Sequence, residues 1–322
     1  MIQTINKHLE KAMPFITPSS VVLGLILAQY IQSWVILVPW IFAFITFASS
    51  VGVQIEKIKT AILHPKPIFL SLGIIQILMP CMAFLLGNAF FPNDYLTIVG
   101  LIIAFIIPTG VISLMWVSIY KGNSSVSLLI VLVNTLLAPI VIPLSLQLFV
   151  GASIEVHTWS LMLNLFLMIV IPSLLGIALN YIPMLKKKDV KGTLAPFSKV
   201  GLFFVIAINS SVAAPVLSLN WKLVAIAVVV FFLASLGYIL GVILGKLSKF
   251  ENDVIISLLF NSGMRNISVG ATIAILYFPA PASVPIVLGT LFQQTLAAFY
   301  GKILSNYLRK KEKGQNEYKL VN

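Results

Sequence analysis

One residue in this sequence stands where a charge is costly. Arg265 falls inside the apolar run 253–276, well away from both ends. A guanidinium offers donors in a planar fork that matches carboxylates and related oxyanions. An ionisable group at such depth in an apolar segment is a functional-site candidate. All nine acidic residues lie in loops, in tails or close to the ends of apolar runs, so none offsets Arg265 at its own depth. The chemistry this allows is anion recognition. The competing role is structural, an arginine held by backbone groups or reaching out to an interface.

Arg265 belongs to a mid-run interruption, Asn261-Ser262-Gly263-Met264-Arg265-Asn266. A second interruption, Pro108-Thr109-Gly110-Val111-Ile112-Ser113, sits at matching depth in the run 95–119. Pro108 removes an amide donor, and glycine weakens a helix. Backbone groups freed inside a membrane need protein or a watery cavity to satisfy them. Paired interruptions point to a binding site at the bilayer midplane. A single Pro or Gly kink would serve packing alone, and that reading competes here too. Polar residues recur nearby: Gln76, Ser127, Asn134 and Thr135, then Asn209, Ser210, Ser211, Gln293, Gln294 and Thr295. Taken one by one, each suits a helix–helix hydrogen bond.

The elements that must position these residues follow from composition. Of 322 residues, 59% are apolar and only 9% charged, with a mean hydropathy of +1.05. A soluble domain cannot hide so much apolar surface. A soluble enzyme, a nucleic-acid binder and a disordered chain are excluded. Long continuous apolar runs disfavour a transmembrane barrel and predict an all-α polytopic membrane protein. Breaks at charges, Pro and Gly give ten runs: 14–32, 35–54, 67–89, 95–119, 125–149, 158–182, 197–217, 222–247, 253–276 and 281–305. The lone cysteine, Cys81, excludes an internal disulfide and reads as a small buried hydrophobe. The polar stretch Met1–Met13 does not read as a cleavable leader.

The net charge of +12 is distributed unevenly. The N-terminus, alternate loops and the C-terminal end hold Lys7, Lys11, Lys57, Lys59, Lys66, Lys121, Lys186, Lys187, Lys188, Lys191, Lys199, Lys246, Lys249, Lys302, Arg309, Lys310, Lys311, Lys313 and Lys319. The opposite loops hold Lys222, with Asp94 and Glu155. That division predicts an even number of spans with both termini cytoplasmic in a cell membrane. Its partner is an anionic lipid leaflet, not nucleic acid. Ten runs divide into two five-helix repeats, about 14–149 and 158–305, with a solvated tail at 306–322. An odd span count per repeat makes the two inverted, with the interrupted fourth and ninth runs at corresponding places.

Searches for enzyme motifs fail. No metalloprotease helix, nucleophile elbow, nucleotide loop or Cys/His metal cluster is present. His8, His64 and His157 fall in the tail and loops, away from deep carboxylates. The chain reads as a non-enzyme without cofactor, sodium apart.

Several landmarks then resemble the bile acid:sodium symporter family over nearly the whole chain. They are His64-Pro65-Lys66, Met79-Pro80, and Pro108 with Gly110 and Ser113. Tyr120-Lys121-Gly122-Asn123, Ser127 and Pro139 follow, then Gly263-Met264 with Asn266. The resemblance implies ten helices in a panel and a core, two broken helices crossing near the midplane, and movement of organic anions with sodium. The departures lie in the part that would hold the cation. Leu114 stands for the family's Asn and Val131 for its Thr. Asn261 stands for its Glu and Arg265 for its Gln. Gln76 lies four residues before Pro80 rather than five. Ser113, Ser127, Ser262, Met264 and Gln76 are what is left of that site.

Sodium wants hard oxygen ligands, ideally with a carboxylate. A fixed positive charge ~5 Å away would oppose it by roughly 3 kcal/mol at an effective dielectric of 20. The expectation is a secondary carrier of an organic anion with weak or absent sodium dependence. Arg265, Asn266, Asn261, Thr109, Gln293 and Gln294 would contact the cargo, helped by the half-helix N-termini at both breaks. A sodium-coupled symporter, a channel-like facilitator and a non-transporting receptor remain the alternatives. Substrate and oligomeric state stay open.

Overall fold

A computed structural model describes the backbone of residues 2–51, 65–151, 158–182 and 189–321. Lys57, Lys59, His64, Glu155, His157, Lys186, Lys187 and Lys188 lie outside the described residues. Within them the protein is helical, with one isolated bridge and no named strand. In chain order the elements are α1 Ile2–Ile26, α2 Ala28–Ser50, α3 Lys66–Phe90 and α4 Tyr95–Ile106. Next come α5 Ser113–Ile119, α6 Ser124–Val150, α7 Thr158–Tyr181 and α8 Val190–Val216. The last are α9 Trp221–Leu247, α10 Asn252–Gly263, α11 Ile267–Tyr277 and α12 Val284–Val321.

Among the described residues, seven segments are long and apolar enough to cross a membrane: α2, α3, α6, α7, α8, α9 and Ala280–Leu308, which runs into α12. This is a multi-pass membrane protein. The runs 95–119 and 253–276 are each interrupted, giving α4 with α5 and α10 with α11. Two boundaries differ from the sequence reading. The first helix begins at Ile2 and stops at Ile26, and residues 28–37 form a short α-turn and a 3₁₀ stretch leading into Val38–Ser50. Gln32 and Ser33, where the sequence reading divides its first two runs, fall inside this stretch, and the helical break comes earlier, at Leu27. The tail continues α12 as helix to Val321, because nothing in 306–321 breaks it except Gly314, which a helix tolerates at a cost of about 1 kcal/mol.

Prolines shape two of the long helices. Pro80 and Pro172 each follow a five-residue π-helical stretch, Ile74–Leu78 and Phe166–Val170. Proline lacks an N–H and its ring presses on the carbonyl a turn earlier. A wider turn relieves that clash. Gln76 lies inside the first such turn.

The helices pack as two groups. In one, α8 lies against both α1 and α2, and α7 lies against α2. In the other, α9 packs on α10 and α12, α3 on α4, and α10 on α5 and α6. The interrupted helices are the innermost parts. Every residue from Thr97 to Ile106 is buried, as is every residue from Ile255 to Gly263. A stretch apolar on all sides suits such a position. Close approach of α9 to α10 needs glycine: a Cβ on Gly237 would come within 2.7 Å of the Ser262 carbonyl oxygen, and one on Gly241 within 2.5 Å of the Leu258 carbonyl.

Polar contacts tie the helix ends together. Lys222 Nζ meets Asp94 at 2.7 Å, joining two segments that the charge pattern placed on the sparsely charged side. On the basic side, Asn123 donates to the Asp253 carboxylate at 2.9 Å, and Lys199 contacts Asn6. Each pairing links segments assigned to one face.

Candidate functional site

The two helix breaks meet each other. Thr109 and Arg265 form the antiparallel bridge. Asn266 N–H donates to the Pro108 carbonyl at 2.8 Å, and Gly110 N–H donates to the Met264 carbonyl at 3.4 Å. Groups freed by one interruption thus satisfy those freed by the other, the condition for non-helical backbone at membrane depth. Gly110 is required at this crossing, since a Cβ there would sit 2.8 Å from the Arg265 carbonyl oxygen. Gly263 is required as well: its Cβ would strike the Tyr238 ring.

Below the crossing lies a buried amide and hydroxyl network. Asn261 is fully buried and its side chain is fully used. Its amide nitrogen donates to Ser127 Oγ at 2.8 Å and to the Ser257 carbonyl at 2.7 Å. Its amide oxygen accepts from Ser113 Oγ at 3.1 Å. Thr109 Oγ1 donates to the Asn261 backbone carbonyl at 2.9 Å and accepts from Asn134 Nδ2 at 3.2 Å. Gln76 completes the chain by donating to Asn134, so the altered spacing before Pro80 still brings it to the crossing. This donor set suits a cation poorly. A carboxylate would offer oxygen alone, whereas the Asn261 amide turns its N–H groups toward Ser127 and the Ser257 carbonyl, taking up oxygens a cation would need.

Arg265 is 4% exposed. Its Nη1 donates to the Ser262 carbonyl at 2.9 Å, while its Nε has no partner. Its backbone N–H donates to Gln293 Oε1 at 2.9 Å. Among the described residues no acidic side chain pairs with it. An uncompensated buried charge carries a penalty of several kcal/mol, which a bound anion would offset.

A cavity of about 130 Å³ opens between the two helix groups. Arg265, Asn266, Gln293, Gln294, Pro108 and Gly110 contribute to one side of its wall. The facing helices supply hydroxyls: Thr17 from α1, Thr46, Ser49 and Ser50 from α2, and Ser173 from α7. Four of the six residues expected to contact a cargo are therefore on the wall. Thr109 and Asn261 are not; their polar atoms belong to the network beneath. Ser113, Ser127, Ser262, Met264 and Gln76 are also off the wall. Gln294 is held by Trp116, whose indole N–H donates to its Oε1 at 2.9 Å.

Sequence reasoning missed the facing hydroxyls and Tyr238, a fully buried side chain whose hydroxyl donates to the Gln293 carbonyl at 3.2 Å. The helical spacing of Thr46, Ser49 and Ser50 was the available signal for the first. Asn209 is buried with neither amide atom partnered and does not line this cavity.

Crossed, interrupted helices with polar backbone beside a central cavity define a membrane-transporter scaffold. The relatives make that class specific. The family model for the sodium bile acid symporter family matches residues 39–220. The uncharacterized protein YbaS of Bacillus subtilis is 46% identical over 92% of this chain and 97% of its own length. A second B. subtilis protein, named the uncharacterized sodium-dependent transporter YocS, is 25% identical over 88% of this chain and 90% of its own. The chain belongs to the sodium bile acid symporter family.

Proposed function

We propose that this protein is a secondary transporter that carries an organic anion across the cell membrane by alternating access, with little or no dependence on sodium. The observation that carries this reading is Arg265: a buried guanidinium on the wall of the central cavity, with a free Nε and no acidic partner among the described residues. A carboxylate or sulfate entering the cavity gains a charge-assisted contact and relieves the cost of the buried cation. The hydroxyls of α1, α2 and α7 then meet the other end of the cargo. A cavity of about 130 Å³ favours a compact anion, since a cavity of about 150 Å³ admits benzene.

The ten runs, read as two inverted five-helix repeats with cytoplasmic termini, supply the rocking geometry. The group holding α1, α2, α7 and α8 would move against the group holding the crossing. Replacement of the expected ligands disfavours sodium: Asn261 stands where the family has a carboxylate, and its amide is consumed internally. The name of YocS as a sodium-dependent transporter keeps the coupled symporter as the reading to defeat.

The test is counterflow in proteoliposomes. A panel of small labelled organic anions is exchanged against preloaded anion, in sodium and in choline media. Accelerated exchange that persists in choline and falls about a hundredfold or more in Arg265→Gln is expected. Uptake that collapses in choline, or an Arg265→Gln carrier that works normally, would overturn the proposal.

A further inference from the structure

Arg265 borders a second cavity, and its contents follow from charge and size. This space of about 20 Å³ lies between the crossing and α4, α9 and α12. Phe105, Val230, Tyr238, Gly289, Arg265 and Gln293 contribute to its walls. Arg265 and Gln293 also border the larger cavity, whereas Tyr238 and Gly289 do not. Arg265, Ile267 and Gln293 therefore separate a large compartment from a very small one.

The small compartment holds one water-sized particle, since a single water needs roughly 10–15 Å³ by this measure. A carboxylate with a carbon skeleton does not fit. The polar groups at hand are donor-rich. Arg265 has only donors and its Nε is unpaired. The Tyr238 hydroxyl is engaged with the Gln293 carbonyl. The Gln293 amide oxygen is taken by the Arg265 backbone N–H, and the other lining side chains are apolar. A water wants two to four polar partners and would leave the positive charge unbalanced. A cation is repelled. A monatomic anion accepts from the guanidinium and balances its charge.

We propose that this compartment is a halide site, with chloride as the resident counter-ion of Arg265. Chloride then steadies the guanidinium when the larger cavity holds no cargo. Because both anions draw on one positive charge, chloride and cargo weaken each other's binding. The idea shares Arg265 with the transport reading, but its test reads a saturable halide effect and its loss in Gly289→Ala rather than transport, and so fails independently.

The test is thermal unfolding of the purified protein in sodium chloride and in sodium gluconate, mixed at constant ionic strength. Anything that binds only the folded state raises Tm with its concentration. A saturable rise with chloride is expected, reproduced by bromide. Gly289→Ala is the discriminating variant. Its Cβ would lie 3.8 Å from Val230 Cγ1 and 3.9 Å from Ile267 Cδ1, ordinary contact distances, so the fold tolerates a methyl that takes up the space. Apparent chloride affinity should fall at least tenfold in Gly289→Ala and vanish in Arg265→Gln. Should Arg265→Gln not fold, Gly289→Ala decides alone. Identical wild-type curves in chloride and gluconate overturn the proposal. A chloride effect that survives Gly289→Ala belongs to the larger cavity and overturns it equally.

Discussion

Thr109 and Arg265 pair where the two helix breaks cross. The pairing makes each break the solution to the other. Asn266 and Gly110 lose helical acceptors at their own breaks and find them on the opposite strand of the crossing. Neither interruption could stand alone in lipid, because each unsatisfied backbone group there costs several kcal/mol. Arg265 is thereby fixed by its backbone while its side chain borders both cavities.

Asn261→Asp tests whether the amide is what closes the network to a cation. The substitution replaces donors to Ser127 and the Ser257 carbonyl with an acceptor-only carboxylate. In choline medium the variant should lose about 3 kcal/mol or more, the cost of a buried charge without its partner. Sodium should recover part of the loss, since carboxylate and hydroxyl oxygens suit a hard cation. Melting curves in matched sodium and choline buffers decide; equal destabilisation in both refutes the cation-site interpretation.

Gly237→Val tests the close packing of α9 on α10. Its Cβ would sit 2.7 Å from the Ser262 carbonyl oxygen, the acceptor that holds Arg265 Nη1. Overpacking of this kind costs typically 1–3 kcal/mol, and cargo affinity should weaken with it. Gly245→Ala is the control. Its Cβ meets the tip of the Leu258 side chain at 3.1 Å, which can shift, so its stability should change by less than about 1 kcal/mol. Denaturation with a ligand titration reads both effects.

Asp94 gives the acid side of the stability profile. Burial raises its pKa, but hydrogen bonds from Lys222 and Thr97 outweigh that, and the net shift is downward. A carboxylate held below its unfolded value of about 3.9 stabilises the fold at higher pH. That contribution is complete above the unfolded value and is lost as pH falls through the folded one. Asp94→Asn should therefore lower Tm by a constant, small amount above about pH 5, the gap closing toward pH 3. A gap that widens on acidification contradicts the assignment.

Lys249 adopts φ 56° at the end of α9, in a C-terminal turn where Phe250 N–H bonds the Gly245 carbonyl and Lys249 N–H bonds the Lys246 carbonyl. Glycine is at ease in this left-handed conformation. Lys249→Gly should stabilise by about 1 kcal/mol, the strain of a side chain there. An unchanged or lower Tm would show that the lysine makes an offsetting contact.

Much of the membrane architecture was legible from residue types. The apolar runs, the interruptions at Pro108 and Gly263 and the isolation of Arg265 among apolar neighbours all concern local composition. The first turn was legible only roughly: the runs divide at Gln32-Ser33, whereas α1 already stops at Ile26, where packing placed the break. The role of Asn261 was half legible. The substitution for a carboxylate was visible, but not that its amide would be spent on Ser113, Ser127 and Ser257.

The sequence alone determined that this chain lives in a bilayer and keeps a positive charge within it, because hydrophobic transfer and the cost of burying charge act on residues wherever they later pack. Only the tertiary structure decided what that charge faces. Thr109 and Asn261 are 152 positions apart, and α1, α2 and α7 all end 84 or more positions before Arg265. Which hydroxyls end up across a cavity, and which amide is consumed inside the crossing, depends on helices meeting at specific faces.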